Sequence, residues 1–380
     1  MNILVLTNYQ LYGDSSSSFV HQQARAYASL GHNVRVLVYT AFGRRICTGE
    51  RMLVPLKKRT VDSVELIFMG YFSLSNFGEN TFNPLSASLS LKIFYSAVAE
   101  TFRPNVIHAH TLGPACCALG SYLKKKTGAP LVVTTHGSDV SIPVEQGRTR
   151  LLKPLCDHAD AVVAVSSALA EKVRSCGTKT PVNVILNGFQ ISGVPSTASP
   201  RGCSLLQAGH LQEQKRVHVT IRAFARLYKL RRDAALTIIG QGPDRASLEK
   251  LCRESGVSGA VRFTGQLPNQ EVLREMSHTR FFIMPSVREG FGIVYLEAMA
   301  CGCVTVGTEG EGIADLIASG KNGFLVPPDD PEAIAGTIEW CLEHPEETSA
   351  IAERGREDAM SLTWEKNAGR YINLFKELIS

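Results

Sequence analysis

Short apolar, β-branched segments alternate with longer stretches of helical periodicity along the whole chain, and no other feature limits its fold as strongly. In the first half the strand-like segments are Ile3–Thr7, Val34–Tyr39, Val106–Ala109, Leu131–Thr135, Ala161–Val165 and Val182–Leu186. Helical periodicity occupies Phe19–Leu30, Leu89–Thr101 and Ala168–Arg174 between them. Such β-α-β alternation calls for a parallel sheet with helices on both faces.

The segment Asn187–Gly202, NGFQISGVPSTASPRG, lacks an apolar period and is rich in Gly, Ser and Pro, as a linker is. After it the alternation restarts, with Ser204–Ala208, Ala235–Ile239, Val261–Thr264, Phe281–Met284, Cys303–Val306 and Gly323–Val326. The expected division is therefore an N-terminal Rossmann-like domain at 1–188, a linker at 189–202 and a second αβα domain at 203–363. The last stretch, 364–380, has helical spacing (Ala368, Tyr371, Ile372, Phe375, Leu378) and is expected to pack back on the first domain. A length of 380 residues suits two domains. Open α/β sheets bind ligands beyond the carboxyl ends of their strands, so two such domains facing one another would enclose a cleft.

With 44% apolar and 20% charged residues, disorder and collagen-like repeats are excluded. The opening MNILVLTNYQ reads as a strand, so no signal peptide is expected, and every apolar run is far short of the roughly 20 residues that span a bilayer. Ten cysteines show neither a C-x-x-C pair nor zinc-ligand spacing, and read as reduced, mostly buried thiols of a cytoplasmic protein. Residues 1–190 hold 19 Lys+Arg and 11 Asp+Glu, net +8, whereas 191–380 hold 21 and 24, net −3. Either this is ordinary surface solvation, or the first half faces an anionic partner through Arg44-Arg45, Lys57-Lys58-Arg59 and Lys124-Lys125-Lys126. No aromatic-plus-basic interleaving accompanies the runs, so nucleic acid is not an expected partner.

The stretch most informative about chemistry is Pro285–Gly302, PSVREGFGIVYLEAMACG, a strand end and glycine-bearing turn leading into a helix. Gly290 and Gly292 allow close backbone approach, and a helix starting near Ile293 would aim free N–H groups and a positive dipole end at an anion such as phosphate. Glu289 and Glu297 are two carboxylates that can accept hydrogen bonds from sugar hydroxyls beside it. Glutamates eight apart are common by chance; the surrounding EGFG and LEAMACG give this pair its weight.

With these residues the chain resembles the retaining glycosyltransferases of family 4, whose GT-B fold has two facing Rossmann-like domains. The resemblance extends over nearly the whole length: Gly31-His32-Asn33-Val34-Arg35-Val36, HAH at 108–110, TTHGSD at 134–139, NGF at 187–189, IIGQGP at 238–243, FTGQLP at 263–268, EGFGIVYLEAMACG, and Gly320 to Val326. It implies that Glu297 binds the nucleotide ribose, that Glu289 binds the donor sugar hydroxyls, that the backbone at Phe291, Gly292 and Ile293 holds the distal phosphate and sugar, and that Leu267 lies against the base. It also implies an Arg after the glycine that closes the first strand of the second domain, and a Lys-Gly further on, to neutralise the diphosphate. Here Lys215 matches, His210 stands at the Arg position and Arg216 at the Gly position. A neutral histidine lacks the permanent charge and fork of an arginine, so either Arg216 substitutes or leaving-group stabilisation is weaker.

The resemblance puts His136 of TTHGSD at the junction of donor sugar and acceptor, although a lone histidine at a strand end is more often structural. Asp139 reads as a cap on the next segment, and for His108 and His110 strand-end packing is favoured over a role in binding. Relatives carry paired glycines after the first strand; here Gly13 alone matches, followed by four serines. The Gly-x-Gly of IIGQGP lacks the third glycine and the acidic ribose partner of a dinucleotide fold, so a dehydrogenase is rejected.

The expected activity is transfer of a sugar from a UDP- or GDP-type nucleotide diphosphate sugar to a hydroxyl of a saccharide or lipid-linked acceptor in cell-surface polysaccharide or glycolipid synthesis, a hexosyltransferase reaction. His136, Lys215 and Glu289 are the candidate catalytic residues. No Asp-x-Asp motif and no ligand-spaced cluster occurs, so no cofactor or metal is expected beyond the nucleotide sugar itself. The apolar stretch Tyr71, Phe72, Leu74, Phe77, Phe82 and Leu85, with the basic first half, suggests peripheral attachment to the inner face of a membrane. The alternatives are a non-catalytic nucleotide-sugar-binding homologue and a sugar-nucleotide epimerase of the same fold.

Overall fold

A computed structural model describes residues 1–8, 19–42, 54–73, 82–190, 193 and 202–380. It forms two compact units, Met1–Gly188 with Trp364–Ser380, and Phe189–Thr363.

The first unit is an eight-stranded sheet of β1 (Asn2–Thr7), β2 (Asn33–Ala41), β3 (Leu56–Val61), β4 (Val64–Tyr71), β5 (Val106–His110), β6 (Leu131–Thr135), β7 (Ala161–Ala164) and β8 (Val182–Val184), in the order β3-β4-β2-β1-β5-β6-β7-β8. All pairings are parallel except β3 with β4. The crossover helices are α1 (Phe19–Ser29), α2 (Phe82–Tyr95), α3 (Pro114–Thr127), α4 (Ser138–Glu145), α5 (Leu152–Asp157) and α6 (Ser167–Arg174). Helices cover both faces, so the central strands are apolar on both sides: Ile3, Leu4, Val5 and Leu6 of β1, and Val106, Ile107 and Ala109 of β5, are buried.

The β3–β4 hairpin is absent from the strand pattern read in the sequence. It turns through Asp62 (φ 50°) and Ser63 (φ 64°), two left-handed residues in succession, as a two-residue hairpin with matching twist requires. Its outer strand is the polar LKKRTV, with Lys58 and Arg59 exposed; charge on an edge strand blocks further pairing, which gives this basic run a structural role. The run Lys124-Lys125-Lys126 occupies the last turn of α3, where cations complement the helix dipole, and Lys124 pairs with Asp160 at 2.8 Å. Gly43 to Leu53, which include Arg44 and Arg45, lie outside the described residues.

The second unit is an all-parallel sheet of β9 (Ser204–Ala208), β10 (Ala235–Ile239), β11 (Val261–Gly265), β12 (Phe281–Ile283), β13 (Val304–Thr308) and β14 (Phe324–Val326), ordered β11-β10-β9-β12-β13-β14. Its helices are α7 (Val217–Leu230), α8 (Arg245–Glu254), α9 (Asn269–Ser277), α10 (Ile293–Ala300), α11 (Pro331–Glu343) and α12 (Pro345–Ser361). Phe189, at the start of the expected linker, is buried and bridges to Thr363 within this unit.

The last helix, α13 (Trp364–Ile379), packs on α1 in the first unit. Trp364, Ala368, Tyr371, Ile372 and Phe375 form its buried stripe, and Tyr27 of α1 meets the rings of Tyr371 and Phe375 at 6.4 and 5.9 Å. Asn367 ties it down by accepting from Gln23 at 2.6 Å and donating to the Leu186 carbonyl at 2.7 Å. The described cysteines are all free thiols, buried except for half-buried Cys176.

Candidate functional site

Each sheet has one point where strand order reverses, and there the loops leaving two neighbouring strands diverge to opposite faces and open a crevice. In the second unit β9 pairs with both β10 and β12, so the crevice lies beyond Ala208 and Ile283.

The loop after β9 passes through Gly209 and exposed His210 to a short turn, Glu213–Lys215. It runs so close to the loop after β10 that a Cβ on Gly240 would lie 1.9 Å from the Gly209 carbonyl, and one on Gly242 2.2 Å from that of Leu211. The Gly-x-Gly of IIGQGP is thus a packing device between two loops. The loop after β12 carries Glu289, Gly290, Phe291 and Gly292 into α10. The two loops are joined by Val287 N–H to the Gln214 carbonyl (3.0 Å) and by the Gln214 amide to the Arg288 carbonyl (3.1 Å).

These bonds bring Lys215 and Glu289, 74 positions apart, into a direct ion pair, with only 17% and 15% of their side chains exposed. Ser286 Oγ lies 3.4 Å from the same Glu289 oxygen, and the Gln207 amide holds the Lys215 carbonyl at 2.7 Å. Glu311 braces the turn by accepting from the N–H groups of Arg288 (2.9 Å) and Glu289 (2.8 Å). A Cβ on the next residue, Gly312, would lie 1.9 Å from the Gly290 carbonyl, so glycine is required there. Arg288 itself sits at φ 61°, a strained conformation next to Glu289.

Gly292 (φ 82°) is the N-cap of α10, and among the described residues no side chain caps the helix. Its first N–H groups thus lack a side-chain acceptor, which makes the start of this helix suited to an anion. Buried Phe291 and the Tyr295 hydroxyl, which donates to the Met284 carbonyl, anchor the turn from below. Further along α10, half-buried Glu297 accepts a 2.9 Å hydrogen bond from Asn269 of α9, and burial raises its carboxyl above the usual 4.5. Leu267, in the loop from β11 to α9, is half-buried.

Arg216 has carboxylate neighbours that the sequence did not show. The sequence left open that it substitutes for the missing arginine of the diphosphate clamp, but its Nε lies 2.9 Å from Asp329 and its Nη1 3.4 Å from Glu213. The guanidinium is thus engaged with carboxylates. Its backbone is left-handed (φ 49°), the conformation that glycine adopts without cost and that the Lys-Gly pattern serves.

In the first unit the reversal lies between β1 and β5, which pair with each other at the centre of the order. Gly13 and the serines after β1 lie outside the described residues. At the ends of β5 and β6 stands a histidine cluster, with His108 and His110 buried and His136 half-buried. Tyr27 meets His108 Nδ1 at 3.2 Å, His108 Nε2 meets Thr134 Oγ1 at 2.8 Å, and Thr134 meets Tyr371 at 2.9 Å. Next to this chain, His110 Nδ1 and His136 Nε2 are 3.0 Å apart, with their rings stacked at 5.2 Å. Burial pushes His108 and His136 down to about 3 and His110 well below its usual value, so all three are neutral.

Asp139 is more than the cap read from the sequence. It accepts from the N–H groups of His136 (3.1 Å) and Gly137 (2.9 Å) and, with its other oxygen, from Leu112 (2.9 Å), tying the loops after β5 and β6 together. Its carboxyl is raised by burial, an effect opposed by these three bonds.

Lys215, Glu289, Gly290, Phe291, Gly292 and Ile293 therefore converge at one switch point, with Glu297 along the same helix. His210 is solvent-exposed, and His136 belongs to the other switch point. The sequence reading missed Glu311, Asn269, Asp329 and the role of Gln214; the only local signal among them was the glycine-flanked Glu311 of EGEG.

The Glycosyltransferase Family 4 model matches residues 16–192, and the Glycosyl transferases group 1 model matches 201–358. The chain is 33% identical over 199 residues to D-inositol 3-phosphate glycosyltransferase of Corynebacterium urealyticum, a match that covers 50% of this chain and 46% of that protein. It is 26% identical over 330 residues to N-acetyl-alpha-D-glucosaminyl L-malate synthase of Bacillus anthracis, covering 82% of this chain and 84% of that one. Among solved structures, Anabaena HepE in complex with UDP and glucose matches with a TM-score of 0.76 at 20% identity, over 99% of each chain. Sucrose-phosphate synthase of Thermosynechococcus elongatus matches with 0.77 at 19% identity, over 99% of this chain and 98% of that one. At such identity the likeness shows the fold.

Proposed function

The chain belongs to glycosyltransferase family 4 and has its GT-B fold, and from this premise we propose that it moves a hexose from a UDP- or GDP-type nucleotide diphosphate sugar to an acceptor hydroxyl with retention at the anomeric carbon. One observation carries the reading: the uncapped start of α10 and the Lys215–Glu289 pair share one crevice. In this reading the bond from the anomeric carbon to the β-phosphate oxygen breaks while the acceptor oxygen bonds to that carbon. The acceptor proton passes to the departing phosphate on the same face. Negative charge grows on the diphosphate, and the α10 dipole with the Lys215 ammonium meets it. Glu289 takes sugar hydroxyls, Glu297 the ribose, and Leu267 the base; His136 acts at the sugar. Structures of Anabaena HepE hold UDP with glucose and UDP-glucose, which supports a nucleotide sugar as donor.

Calorimetry with a panel of nucleotide diphosphate sugars tests this. One donor should bind, and Glu297→Ala and Lys215→Ala should each weaken it; absence of binding up to millimolar concentration refutes the reading. A second reading, a homologue that binds the nucleotide sugar but turns it over poorly, is favoured by the engagement of Arg216 with Asp329 and the exposure of His210. His210→Arg separates the two: a large gain of turnover supports the weakened homologue, a loss the adapted enzyme.

For the acceptor we propose a lipid-linked saccharide. Leu85, Leu89 and Ile93 recur every fourth residue of α2 and are 70%, 60% and 67% exposed, and Phe72 is 69% exposed. An exposed apolar stripe on a basic half of the chain suits an anionic membrane surface. Among the described residues no helix is long and apolar enough to cross a membrane. Leu74 and Phe77 lie outside the described residues, as does the Phe82 side chain. Binding to anionic vesicles at low salt should exceed binding to neutral ones; equal binding refutes the proposal.

A further inference from the structure

Asn269 is the first residue of α9 and is exposed, and its amide Nδ2 donates to Glu297 Oε1 of α10 at 2.9 Å. The bond follows from the way α9 lies on α10. Leu273 and Cys301 each stand one helical turn further on, and there the Cys301 thiol donates to the Leu273 carbonyl at 3.5 Å. Leu273, Met276 and Cys301 are buried, so packing sets the register of the two helices. Asn269 and Glu297 meet one turn earlier, where this seam reaches solvent.

The carboxylate benefits from such a donor. Burial favours its neutral form, and a hydrogen bond to the charged form opposes burial; the Asn269 amide is the group that opposes it here. The charged residues of α9, Glu271, Arg274 and Glu275, lie off the face that carries Asn269, Leu273 and Met276. Nearby, α12 brings Arg356 to the Cys301 thiol and pairs it with Glu353 at 3.4 Å, and β13 has no titratable group. A charge-assisted hydrogen bond also fixes the carboxylate in place, and its remaining lone pairs can accept two neighbouring hydroxyls. Leu267 precedes Asn269 in the same loop from β11, so the segment expected against the base also supplies this donor.

We propose that Asn269 is a positioning residue: it holds one oxygen of Glu297 so that the carboxylate takes the paired ribose hydroxyls of a nucleotide in a set orientation. The ribose rests on the transferase reading; the pairing of amide and carboxylate does not. A carboxylate already held in its binding orientation loses less freedom when the ligand arrives.

The test is calorimetric titration of the full chain with UDP and GDP and with their dideoxyribose forms, which lack both hydroxyls. Asn269→Leu should weaken the ribonucleotide about two- to tenfold and leave the dideoxyribose form unchanged. Asn269→Gln keeps the amide donor and should recover most of that loss. In a Glu297→Ala background, Asn269→Leu should cost nothing further, because the two residues act through one contact. Equal weakening of both ligand forms, as a merely structural residue would give, overturns the proposal, as does a second loss in the Glu297→Ala background. Carboxyl carbon NMR with labelled glutamate reads the pairing without any ligand: Glu297 should titrate at higher pH in Asn269→Leu, since the bond opposing burial is gone. An unmoved midpoint overturns the proposal. A raised midpoint in a protein that binds neither nucleotide would keep the pairing and remove the transferase reading.

Discussion

Replacing Glu289 with glutamine tests the ion pair at the centre of the donor site. Lys215 and Glu289 are each more than four-fifths shielded, and the ammonium also lies 4.0 Å from Met284 Sδ. Removing one partner of a shielded pair leaves the other charge uncompensated, at a cost of roughly 3–5 kcal/mol. The glutamine oxygen can still accept from Lys215, so the lower end, about 3 kcal/mol, is expected. At about 2–4 °C per kcal/mol for a unit of this size, the melting transition of the second unit should fall by roughly 6–12 °C. Part of that loss returns when a diphosphate supplies the missing negative charge. In the native protein the nucleotide must draw Lys215 away from Glu289, whereas in Glu289→Gln it meets an unpaired ammonium. Regaining about 1.4 kcal/mol would make binding of the free nucleoside diphosphate tenfold tighter. Turnover of the nucleotide sugar should fall, because Glu289 no longer takes the sugar hydroxyls. The assay is calorimetric melting and titration of both proteins with UDP and GDP. A nucleoside diphosphate that binds Glu289→Gln no better than the native protein would refute the shared role of Lys215.

Glu297→Gln should stabilise the fold increasingly as pH rises. Burial raises the folded carboxyl above 4.5, so between these values the folded state holds more protons than the unfolded, and native stability falls with rising pH. Melting temperatures of the two proteins from pH 4 to pH 7 should diverge in favour of the variant while nucleotide binding weakens; parallel curves would contradict the sign. Arg216→Gly should gain about 1 kcal/mol from relief of the left-handed backbone, less about 0–1 kcal/mol for the lost Asp329 pair, and should leave nucleotide affinity unchanged because the native guanidinium lies against Asp329. Denaturant midpoints and titration check this, and a large loss of affinity would return Arg216 to the clamp. We expect no metal requirement: excess EDTA should leave turnover of the nucleotide sugar intact, and recovery of a lost activity by added divalent cation would refute this.

Each site residue in the Pro285–Gly302 stretch was legible because the motif is contiguous: a turn needing glycines, then a helix start, encodes an anion site locally. Lys215 was legible through the family resemblance, which implies a Lys-Gly beyond the glycine that closes the first strand of the second domain. Their pairing was not, because it depends on Gln214 and Val287 joining two loops that emerge from adjacent strands far apart in sequence. The same gap explains Arg216. Its position in a motif says nothing of where a long side chain points, and Asp329, more than a hundred residues away, decides that.

By itself the sequence determined the two αβα units, because strands buried on both faces of a parallel sheet must be continuously apolar and their crossovers must be helical. It also determined the helix start that suits a phosphate, since glycine, turn and helix are neighbours along the chain. The tertiary structure alone decided the β3–β4 edge hairpin, whose polar outer strand carries little apolar signal. It alone decided the contact of His110 with His136, 26 positions apart. Strand order brings the ends of β5 and β6 together, and no local pattern records which strands will be neighbours.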